Sequence, residues 1–351
     1  MSIFFSSVSD VLNAGFDTII DVRAPSEFAE DHIPGAINLP VLDDAERARV
    51  GTIYTQQSPF LARKLGAALV ARNAASHIEG PLAEKEGGWR PLVYCWRGGQ
   101  RSNSFAIILR QIGWRVEVLD GGYKSWRRLV IGMLHDQALP HRLVLIDGNT
   151  GTAKTDLLHR VRLLGAQVLD LEGLAQHRGS IFGPMGEQPA QKGFESRLAE
   201  VLSRLDPARP VLVEAESSRI GEVTIPARLW RAMCSAPRID VTAGLPSRAR
   251  YLAEAYADLT EDVPTMQARL DQLIPLQGHA RVKTWREMAE QGAFAALAEA
   301  LMGQHYDPRY EKSRARHSPD VIADFDLGDL SVGARDEVAG RIVSLLNSCS
   351  N

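Results

Sequence analysis

Leu92-Val93-Tyr94-Cys95-Trp96-Arg97-Gly98-Gly99-Gln100-Arg101-Ser102 is an apolar run that ends on a cysteine and passes at once into glycines and arginines. This order predicts a β-strand, a tight loop and a helix that covers Asn103. Glycines let backbone N–H groups turn into the loop, and the helix dipole adds partial positive charge. With Arg97 and Arg101 beside it, we expect the Cys95 pKa to lie below the roughly 8.5 of a free thiol. Such a cysteine is suited to nucleophilic attack or to carrying an anionic sulfur or selenium atom, and an inert core cysteine is the disfavoured alternative.

The overall composition indicates a globular protein of two or three domains. The chain has 351 residues, with 45% hydrophobic and 24% charged residues and a net charge of -3. Any nucleic-acid surface must therefore be a local basic patch. Cys95, Cys234 and Cys349 lack the spacing of a metal site or a disulfide framework, which favours the reducing cytoplasm. We expect no secretory signal, because the N-terminus lacks a basic region and Asp10 interrupts its apolar stretch. We expect no membrane span, because no run of about 18 apolar residues occurs.

Strand-like and helix-like segments alternate in the first part of the chain. Residues 18–21 and 116–119 read as strands, and residues 58–75 and 123–133 read as helices, with the Cys95 loop between them. This alternation predicts an α/β domain with a parallel sheet.

Five short segments give this domain a family resemblance. They are Asp21-Val22-Arg23, Glu27-Phe28, His32-Ile33-Pro34-Gly35-Ala36, the Cys95 loop, and Leu119-Asp120-Gly121-Gly122-Tyr123 followed by Trp126. In this order they resemble the rhodanese family over residues 1–135. The resemblance implies that Cys95 carries sulfur or selenium. We expect Asp21 and Arg23 to form a structural pair that ties the loop to the sheet.

A phosphate-binding loop opens the second domain, after a predicted linker at residues 136–141. The strand 142–147 runs into Gly148-Asn149-Thr150-Gly151-Thr152-Ala153-Lys154-Thr155, and a helix follows over 156–164. In this context the backbone N–H groups cradle a diphosphate, Lys154 reaches its oxygens, and the Thr155 hydroxyl could ligate Mg²⁺. Ala153 replaces the usual glycine; its methyl group is tolerable at negative φ and otherwise crowds the phosphate.

Two further groups of polar residues are candidates for a supporting role at this loop. Glu214 ends an apolar strand and Glu216 follows it, where a carboxylate could act as a base or assist Mg²⁺. Both reach the pocket if the strand continues, and only one if the chain turns. His177, Arg178 and Ser180 lie in a polar loop and suit a diphosphate or an RNA backbone. A solvated role is the alternative for each group.

The remainder of the chain predicts amphipathic helices. We therefore divide the second half into a P-loop NTPase-like α/β core at 142–260 and a mainly helical part at 261–351. No Asn-Lys-x-Asp segment occurs, which disfavours a GTPase. Basic residues and aromatic rings recur here and could form a tRNA-binding patch. They are Arg248, Arg250, Arg281, Lys283, Arg286, Arg309, Lys312, Arg314, Arg316, Trp285, Tyr306 and Tyr310.

Four motifs extend the resemblance to the whole chain. They are Leu171-Glu172-Gly173-Leu174-Ala175 with His177-Arg178-Gly179-Ser180, Val213-Glu214-Ala215-Glu216-Ser217, Gln277-Gly278-His279, and His305-Tyr306-Asp307-Pro308. With the two loops they resemble the tRNA 2-selenouridine synthase family. That resemblance implies S-geranylation of wobble 2-thiouridine in tRNAs for Lys, Glu and Gln with geranyl diphosphate. Replacement of the geranylthio group by selenium from selenophosphate follows, with an enzyme that supplies selenophosphate as partner and no tightly bound cofactor.

Two other functions stay open at this point. The phosphate loop could serve an ATP-dependent tRNA sulfur-modifying enzyme. Alternatively, the rhodanese-type half could be a sulfur or selenium carrier that has no tRNA chemistry of its own.

Overall fold

The computed structural model describes residues 2–183, 185–257, 262–314 and 320–348. Cys349 and Arg316 lie outside these residues, as does the side chain of Arg314. The chain forms two compact units, Met1–Gln137 with Pro189–Arg204, and Ala138–Gln188 with Leu205–Asn351. In the described ranges no helix is long and apolar enough to cross a membrane.

Each unit is built on its own sheet. The strands of the first unit are β1 (Ser2–Ile3), β2 (Thr18–Asp21), β3 (Ile37–Asn38), β4 (Pro91–Tyr94) and β5 (Glu117–Leu119). Those of the second are β6 (Leu143–Asp147), β7 (Gln167–Leu169), β8 (Val211–Glu214), β9 (Arg219–Ile220), β10 (Val223–Thr224), β11 (Arg238–Thr242) and β12 (Val321–Asp326).

Helices cover most of the remaining described residues. In chain order they are α1 (Val8–Leu12), α2 (Pro25–Glu30), α3 (Asp44–Gln56), α4 (Pro59–Glu79), α5 (Gln100–Ile112), α6 (Tyr123–Ile131), α7 (Lys154–Leu163), α8 (Leu171–Ala175), α9 (Gln191–Arg204), α10 (Ala227–Ser235), α11 (Leu245–Ala255), α12 (Val263–Asp271), α13 (Ile274–Gln277), α14 (His279–Glu290), α15 (Phe294–Leu301), α16 (Asp307–Arg314) and α17 (Val332–Ser348). Single π-helical turns, Gly132–Asp136 and Met302–Tyr306, follow α6 and α15.

The first unit is a five-stranded parallel sheet in the order β1-β5-β4-β2-β3. All four residues of β4 are buried, as expected for the central strand of a parallel sheet covered on both faces. Cys95 follows β4 directly, so the cysteine loop lies at the carboxyl edge of the sheet, where α/β proteins place their sites. The α/β prediction for this half is confirmed.

A buried ion pair braces that edge. Arg23 and Asp21 are 1% and 0% exposed, and the Arg23 Nη2 donates to Asp21 Oδ2 over 2.6 Å and to the Asp31 carbonyl over 2.6 Å. Burial of an arginine is tolerable when its donors are paired in this way. The predicted structural pairing of these two residues is therefore confirmed.

The second unit contains a five-stranded parallel sheet in the order β12-β11-β6-β8-β7 and a separate antiparallel hairpin, β9–β10. The central strand β6 again leads into the loop and helix of interest. Residue 214 pairs with Ile146, which sets the end of β8 beside the end of β6. The register therefore brings Glu214 next to the phosphate loop.

Two segments differ from the sequence-based division of the chain. The range 261–351 reads as helical, yet its residues Val321–Asp326 form β12 and extend the sheet of the second unit through β11. An exposed edge strand carries little hydrophobic signal, and Phe325 is its one buried residue. Helix α9 lies within the range predicted for the P-loop core, but it belongs to the first unit, where Trp126 Nε1 donates to Ser196 Oγ over 3.1 Å.

We predict that Asp21→Asn lowers the free energy of unfolding by about 3–5 kcal/mol, because it leaves the buried Arg23 charge without its counterion. Urea denaturation of the full chain measures this. Glu30→Gln is the matched control: its pair with Lys192 is half-exposed, so a change of about 0.5 kcal/mol or less is expected. Equal effects of the two substitutions would contradict a bracing role for the buried pair.

Candidate functional site

The Cys95 thiol lies at the start of the loop that joins β4 to α5. The residue is 3% exposed, and its Sγ is 3.1 Å from the Ser102 hydroxyl in the first turn of α5. Ser102 also donates to the Gly99 carbonyl over 3.2 Å. The first N–H groups of α5 have no partners within their own helix, so this end of the helix favours negative charge. The geometry therefore suits an anionic chalcogen at Cys95.

The two loop arginines differ in what they contact. Arg101 donates to Glu27 Oε2 over 3.0 Å, and the same carboxylate oxygen is 3.0 Å from Arg47. Arg97 is exposed and has no hydrogen-bond or ion-pair partner among the residues described. Arg97 is thus the guanidinium that is available to an incoming anion, while Arg101 is held by Glu27, a partner that sequence reasoning did not identify.

A close backbone approach holds the loop in place. A Cβ on Gly122 would come within 2.2 Å of the Cys95 carbonyl and 2.5 Å of the Gly98 nitrogen. Tyr123 N–H donates to that Cys95 carbonyl over 2.8 Å, and the Tyr123 ring stacks on Trp96 at 5.2 Å between centroids. The Gly-Gly-Tyr segment quoted above therefore has a physical role as the support of the cysteine loop.

In the second unit, the phosphate loop runs from Gly148 to the start of α7. The Lys154 Nζ donates to the Gly148 carbonyl over 2.7 Å and to the Asn149 carbonyl over 3.3 Å. A diphosphate would offer Lys154 anionic acceptors in place of these carbonyls. Thr155 Oγ1 donates to Glu172 Oε2 over 3.1 Å. Both side chains thus lie at the helix N-terminus, beside the orphan amides of α7.

Ala153 adopts the left-handed conformation, with φ 58° and ψ 28°. The condition set above for an unstrained alanine, a negative φ, is not met. A Cβ in this region costs about 1–2 kcal/mol, which explains why glycine is usual here. The residue is 5% exposed and packs in the core that includes Leu157 and Leu158, which offsets part of that cost.

A cavity of about 730 Å³ surrounds this loop, within the usual range for a small-molecule site. Its lining includes residues 150–156, Glu214 and Glu216. Although β8 ends at Glu214 and the chain turns, both glutamates line the cavity, so the expectation that a turn leaves only one of them there is wrong. Sequence reasoning also missed Asp170 as a lining residue, and it did not single out Glu172 as an acid of this cavity.

Glu214 and Glu216 hold their protons more tightly than usual. Burial raises the pKa of Glu214 to about 8, and the charge of Asp170 adds to this effect. The Glu214 Oε1 accepts from the Glu172 N–H over 2.8 Å, while the buried Glu214 Oε2 has no hydrogen-bond partner among the described residues. Burial and the neighbouring Glu172 also raise the pKa of Glu216 well above its usual value. The floor of the cavity is therefore less negative at neutral pH than its composition suggests.

The predicted residues of the 177–180 loop separate into two groups. Arg178 and Ser180 line the cavity, with the Arg178 guanidinium 4.6 Å from the centroid of Tyr256. His177 is buried outside that lining, and its Nδ1 accepts from the Gly179 N–H over 3.1 Å. Burial lowers the pKa of His177, which keeps its ring neutral. The structure thus places His177 in the turn that presents the other two.

An ion pair joins the phosphate loop to the helical part of the unit. Arg248 is 5% exposed, and its guanidinium donates to both carboxylate oxygens of Asp307, over 3.1 and 2.8 Å. The same Nη1 donates to the Thr150 carbonyl over 3.0 Å. Tyr310, one turn beyond Asp307, lies with its ring centroid 5.7 Å from Lys154 Nζ. The His305-Tyr306-Asp307-Pro308 motif therefore belongs to the phosphate site.

The predicted tRNA patch is wrong in two of its members. Trp285 is 1% exposed and packs in the helical core, so it offers no ring for stacking. Arg248 is 5% exposed and is paired internally with Asp307, so it offers no surface charge. Amphipathic spacing alone could not separate core rings from surface rings.

The donors at the phosphate loop fit a Mg²⁺ ion that binds together with a diphosphate. No three His, Cys, Asp or Glu side chains of the described residues are placed to hold a metal ion by themselves. Mg²⁺ usually keeps waters and takes one or two protein oxygens plus substrate phosphates. The Thr155 hydroxyl and the Glu172 carboxylate, 3.1 Å apart, are oxygen donors of that kind.

Two protein families match separate parts of the chain. Residues 6–129 match the rhodanese-like domain, and residues 141–281 match the tRNA 2-selenouridine synthase AAA domain. The first range contains the Cys95 loop, and the second contains the phosphate loop and both glutamates.

Relatives that match both parts of the chain are named tRNA 2-selenouridine synthases. A tRNA 2-selenouridine synthase of Nitrosomonas europaea is 36% identical over 300 residues, which are 82% of this chain and 77% of that protein. Another, of Psychromonas ingrahamii, is 38% identical over 243 residues, 69% of this chain and 65% of that protein. The crystal structure of a rhodanese-related protein of Thermoplasma volcanium is 22% identical, covers 36% of this chain and 90% of its own, and superposes with a TM-score of 0.23.

We predict that Ala153→Gly raises the free energy of unfolding by about 0.5–1 kcal/mol, because relief of the left-handed strain outweighs the greater freedom of glycine in the unfolded chain. Ala268→Gly, on the exposed face of α12, is the control and should lower it by about 1 kcal/mol. Urea denaturation measures both. A loss of stability for Ala153→Gly would show that the methyl packing matters more than the strain.

The raised pKa of Glu214 predicts a dependence of stability on pH. The protonated carboxyl contributes stability that is fully present below the usual pKa of 4.5 and is lost as the pH rises through about 8. Wild type should therefore weaken relative to Glu214→Gln between pH 5 and pH 8, by on the order of a few kcal/mol. Chemical denaturation across this range tests it, with the exposed Glu222→Gln as the control. Parallel curves for wild type and Glu214→Gln would refute the assignment.

Proposed function

Because the chain belongs to the tRNA 2-selenouridine synthase family, a family of tRNA-modifying enzymes, we propose that it converts wobble 2-thiouridine to 2-selenouridine in tRNAs for Lys, Glu and Gln. The second unit transfers a geranyl group from geranyl diphosphate to the thiouridine sulfur. The first unit then replaces the geranylthio group with selenium from selenophosphate, which another enzyme supplies.

The geranylation step needs stabilisation of a departing diphosphate. The thiouridine sulfur attacks the first carbon of the geranyl chain, the allylic C–O bond breaks, and the sulfur nucleoside loses a proton. Lys154 and the N-terminal amides of α7 take up the charge of the leaving group in this proposal, which the position of Lys154 at the start of α7 supports. Arg178, on the cavity wall, adds a second cation. The raised pKa values of Glu214 and Glu216 reduce repulsion of the anion.

A Mg²⁺ ion held by Thr155 and Glu172 would supply further charge neutralisation on the diphosphate. The residues of this chain bind and orient the substrate. The Tyr310 ring lies next to Lys154, and Arg248 donates to the Thr150 carbonyl of the phosphate loop.

The selenation step uses the first unit. Hydrolysis of the P–Se bond of selenophosphate gives phosphate and selenide, and the selenide displaces a small thiol from a mixed disulfide with Cys95, so that a sulfur–selenium bond forms. The selenium on Cys95 then attacks carbon 2 of the pyrimidine, a carbon–selenium bond forms, and the geranyl thiol leaves as the carbon–sulfur bond breaks. The small thiol finally cleaves the sulfur–selenium bond, which releases 2-selenouridine and restores the mixed disulfide. The thioether sulfur is a better leaving group than a thiocarbonyl sulfur, which gives the first step its purpose. Arg97, exposed beside the thiol, suits the phosphate of the selenium donor or the tRNA backbone.

The observation that carries this proposal is the presence on one chain of a thiol at a helix N-terminus and of a diphosphate cradle with Lys154. The phosphate loop also suits an ATP-dependent tRNA-modifying enzyme. Melting shifts with geranyl diphosphate and with ATP separate the two functions, because a ligand of the native state raises the melting temperature. An increase in melting temperature with ATP and none with geranyl diphosphate would favour the ATP-dependent enzyme.

We predict that the two steps separate by mutation. Lys154→Ala should slow geranylation at least about 100-fold, since it removes a charge from the leaving-group site, and should still selenate tRNA that is already geranylated. Cys95→Ala should geranylate and fail to selenate. Mass spectrometry of nucleosides from purified protein, tRNA and both donors measures each product.

Matched controls are Lys64→Ala, an exposed lysine outside the predicted tRNA patch, and Cys234→Ala, the other free cysteine of the described chain. Both should behave as wild type. Selenium incorporation by Cys95→Ala would remove the carrier role from Cys95. Equal loss of both steps in Lys154→Ala would reject separate sites, and absence of both products from folded wild type would reject the function.

A further inference from the structure

A second, apolar pocket adjoins the phosphate cavity. The two have Thr150, Ser180, Leu252, Tyr256 and Tyr306 in common, and these shared residues are called the neck below. Beyond this neck the lining is aliphatic and aromatic, and it comes from α11, α12, α15 and the 177–183 turn. Its members include Phe182, Met266, Phe294, Leu297, Leu301 and Met302.

The chemistry of the neck and the pocket selects a ligand with two unlike ends. Lys154 and the amides of α7 take an anionic head, while the pocket beyond Tyr256 offers hydrocarbon on its walls. A purine or ribose placed there would lose hydrogen bonds to water without replacement, which is unfavourable. A hydrocarbon chain attached to a diphosphate loses none, and its burial is favourable.

The size of the pocket limits what enters. Its volume is about 80 Å³, roughly half of a cavity of about 150 Å³ that holds benzene. About four carbon atoms therefore fit beyond the neck. With a diphosphate at Lys154, a ten-carbon chain would leave about six carbons to span the neck, whereas a five-carbon chain would have few or none to place beyond it.

We propose that this apolar pocket binds the distal end of the isoprenoid chain and that its walls set the chain length the enzyme accepts. This inference rests on the proposed geranyl transfer and adds the residues that select the donor. Ala298 lines the pocket from α15 and Ala253 lines it from α11; these small side chains leave the space open. Phe294 is a half-buried wall residue at the N-terminus of α15.

Filling the pocket tests the proposal. Ala298→Leu should raise KM for geranyl diphosphate by about tenfold or more, since loss of a methylene site in an apolar pocket changes selectivity by about 10–200-fold. KM for dimethylallyl diphosphate and inhibition by inorganic pyrophosphate should change less than about twofold, because neither reaches the pocket. Ala296→Leu, exposed on the same helix, is the matched control and should leave all three unchanged.

Enlarging the pocket gives the opposite readout. Phe294→Ala should increase the ratio of kcat/KM for farnesyl over geranyl diphosphate by about tenfold. If Ala298→Leu behaves like Ala296→Leu while wild type still geranylates, the pocket assignment is overturned and the proposed function stands. If folded wild type uses neither geranyl nor dimethylallyl diphosphate, the proposed function itself fails.

Discussion

A strand that turns directly into a helix leaves the first N–H groups of that helix without partners, and each unit of this chain places its site at such a turn. In the first unit β4 leads through Cys95 into α5, and in the second β6 leads through the phosphate loop into α7. Both strands are the middle ones of parallel sheets. The same partial positive charge thus favours an anionic chalcogen in one case and a diphosphate in the other.

The Arg248–Asp307 pair extends this constraint to the rest of the second unit. The guanidinium holds the Thr150 carbonyl of the phosphate loop and the carboxylate at the start of α16 together. The helical part thereby brings Tyr310 over Lys154 and lines the apolar pocket next to the cradle. A buried pair of this kind contributes position more than stability, because desolvation offsets much of its attraction.

Charge balance explains how an acid-rich cavity accepts an anion. Asp170, Glu172, Glu214 and Glu216 line the same cavity as Lys154. Burial and neighbouring acids raise the pKa of Glu214 to about 8, so this carboxyl is largely protonated at neutral pH, and they raise the pKa of Glu216 well above its usual value. A protonated carboxyl neither repels the diphosphate nor loses its ability to hydrogen-bond. The cavity therefore keeps polar anchors without a large negative field.

The amino-acid sequence alone was sufficient for the α/β class and for the strand–loop–helix positions of Cys95 and of the phosphate loop, because glycine spacing, a preceding apolar run and a following helix are local features. It was insufficient for Arg101, Trp285 and Arg248, whose roles depend on Glu27, the helical core and Asp307. The strain at Ala153 and the approach of both glutamates also came from the folded chain, since φ at a turn and the path after β8 follow from packing. The strand–loop–helix turns depend on neighbouring residues, so the sequence determines them. Charge pairing, burial and pocket shape depend on contacts between residues far apart in the chain, so only the tertiary structure decides them.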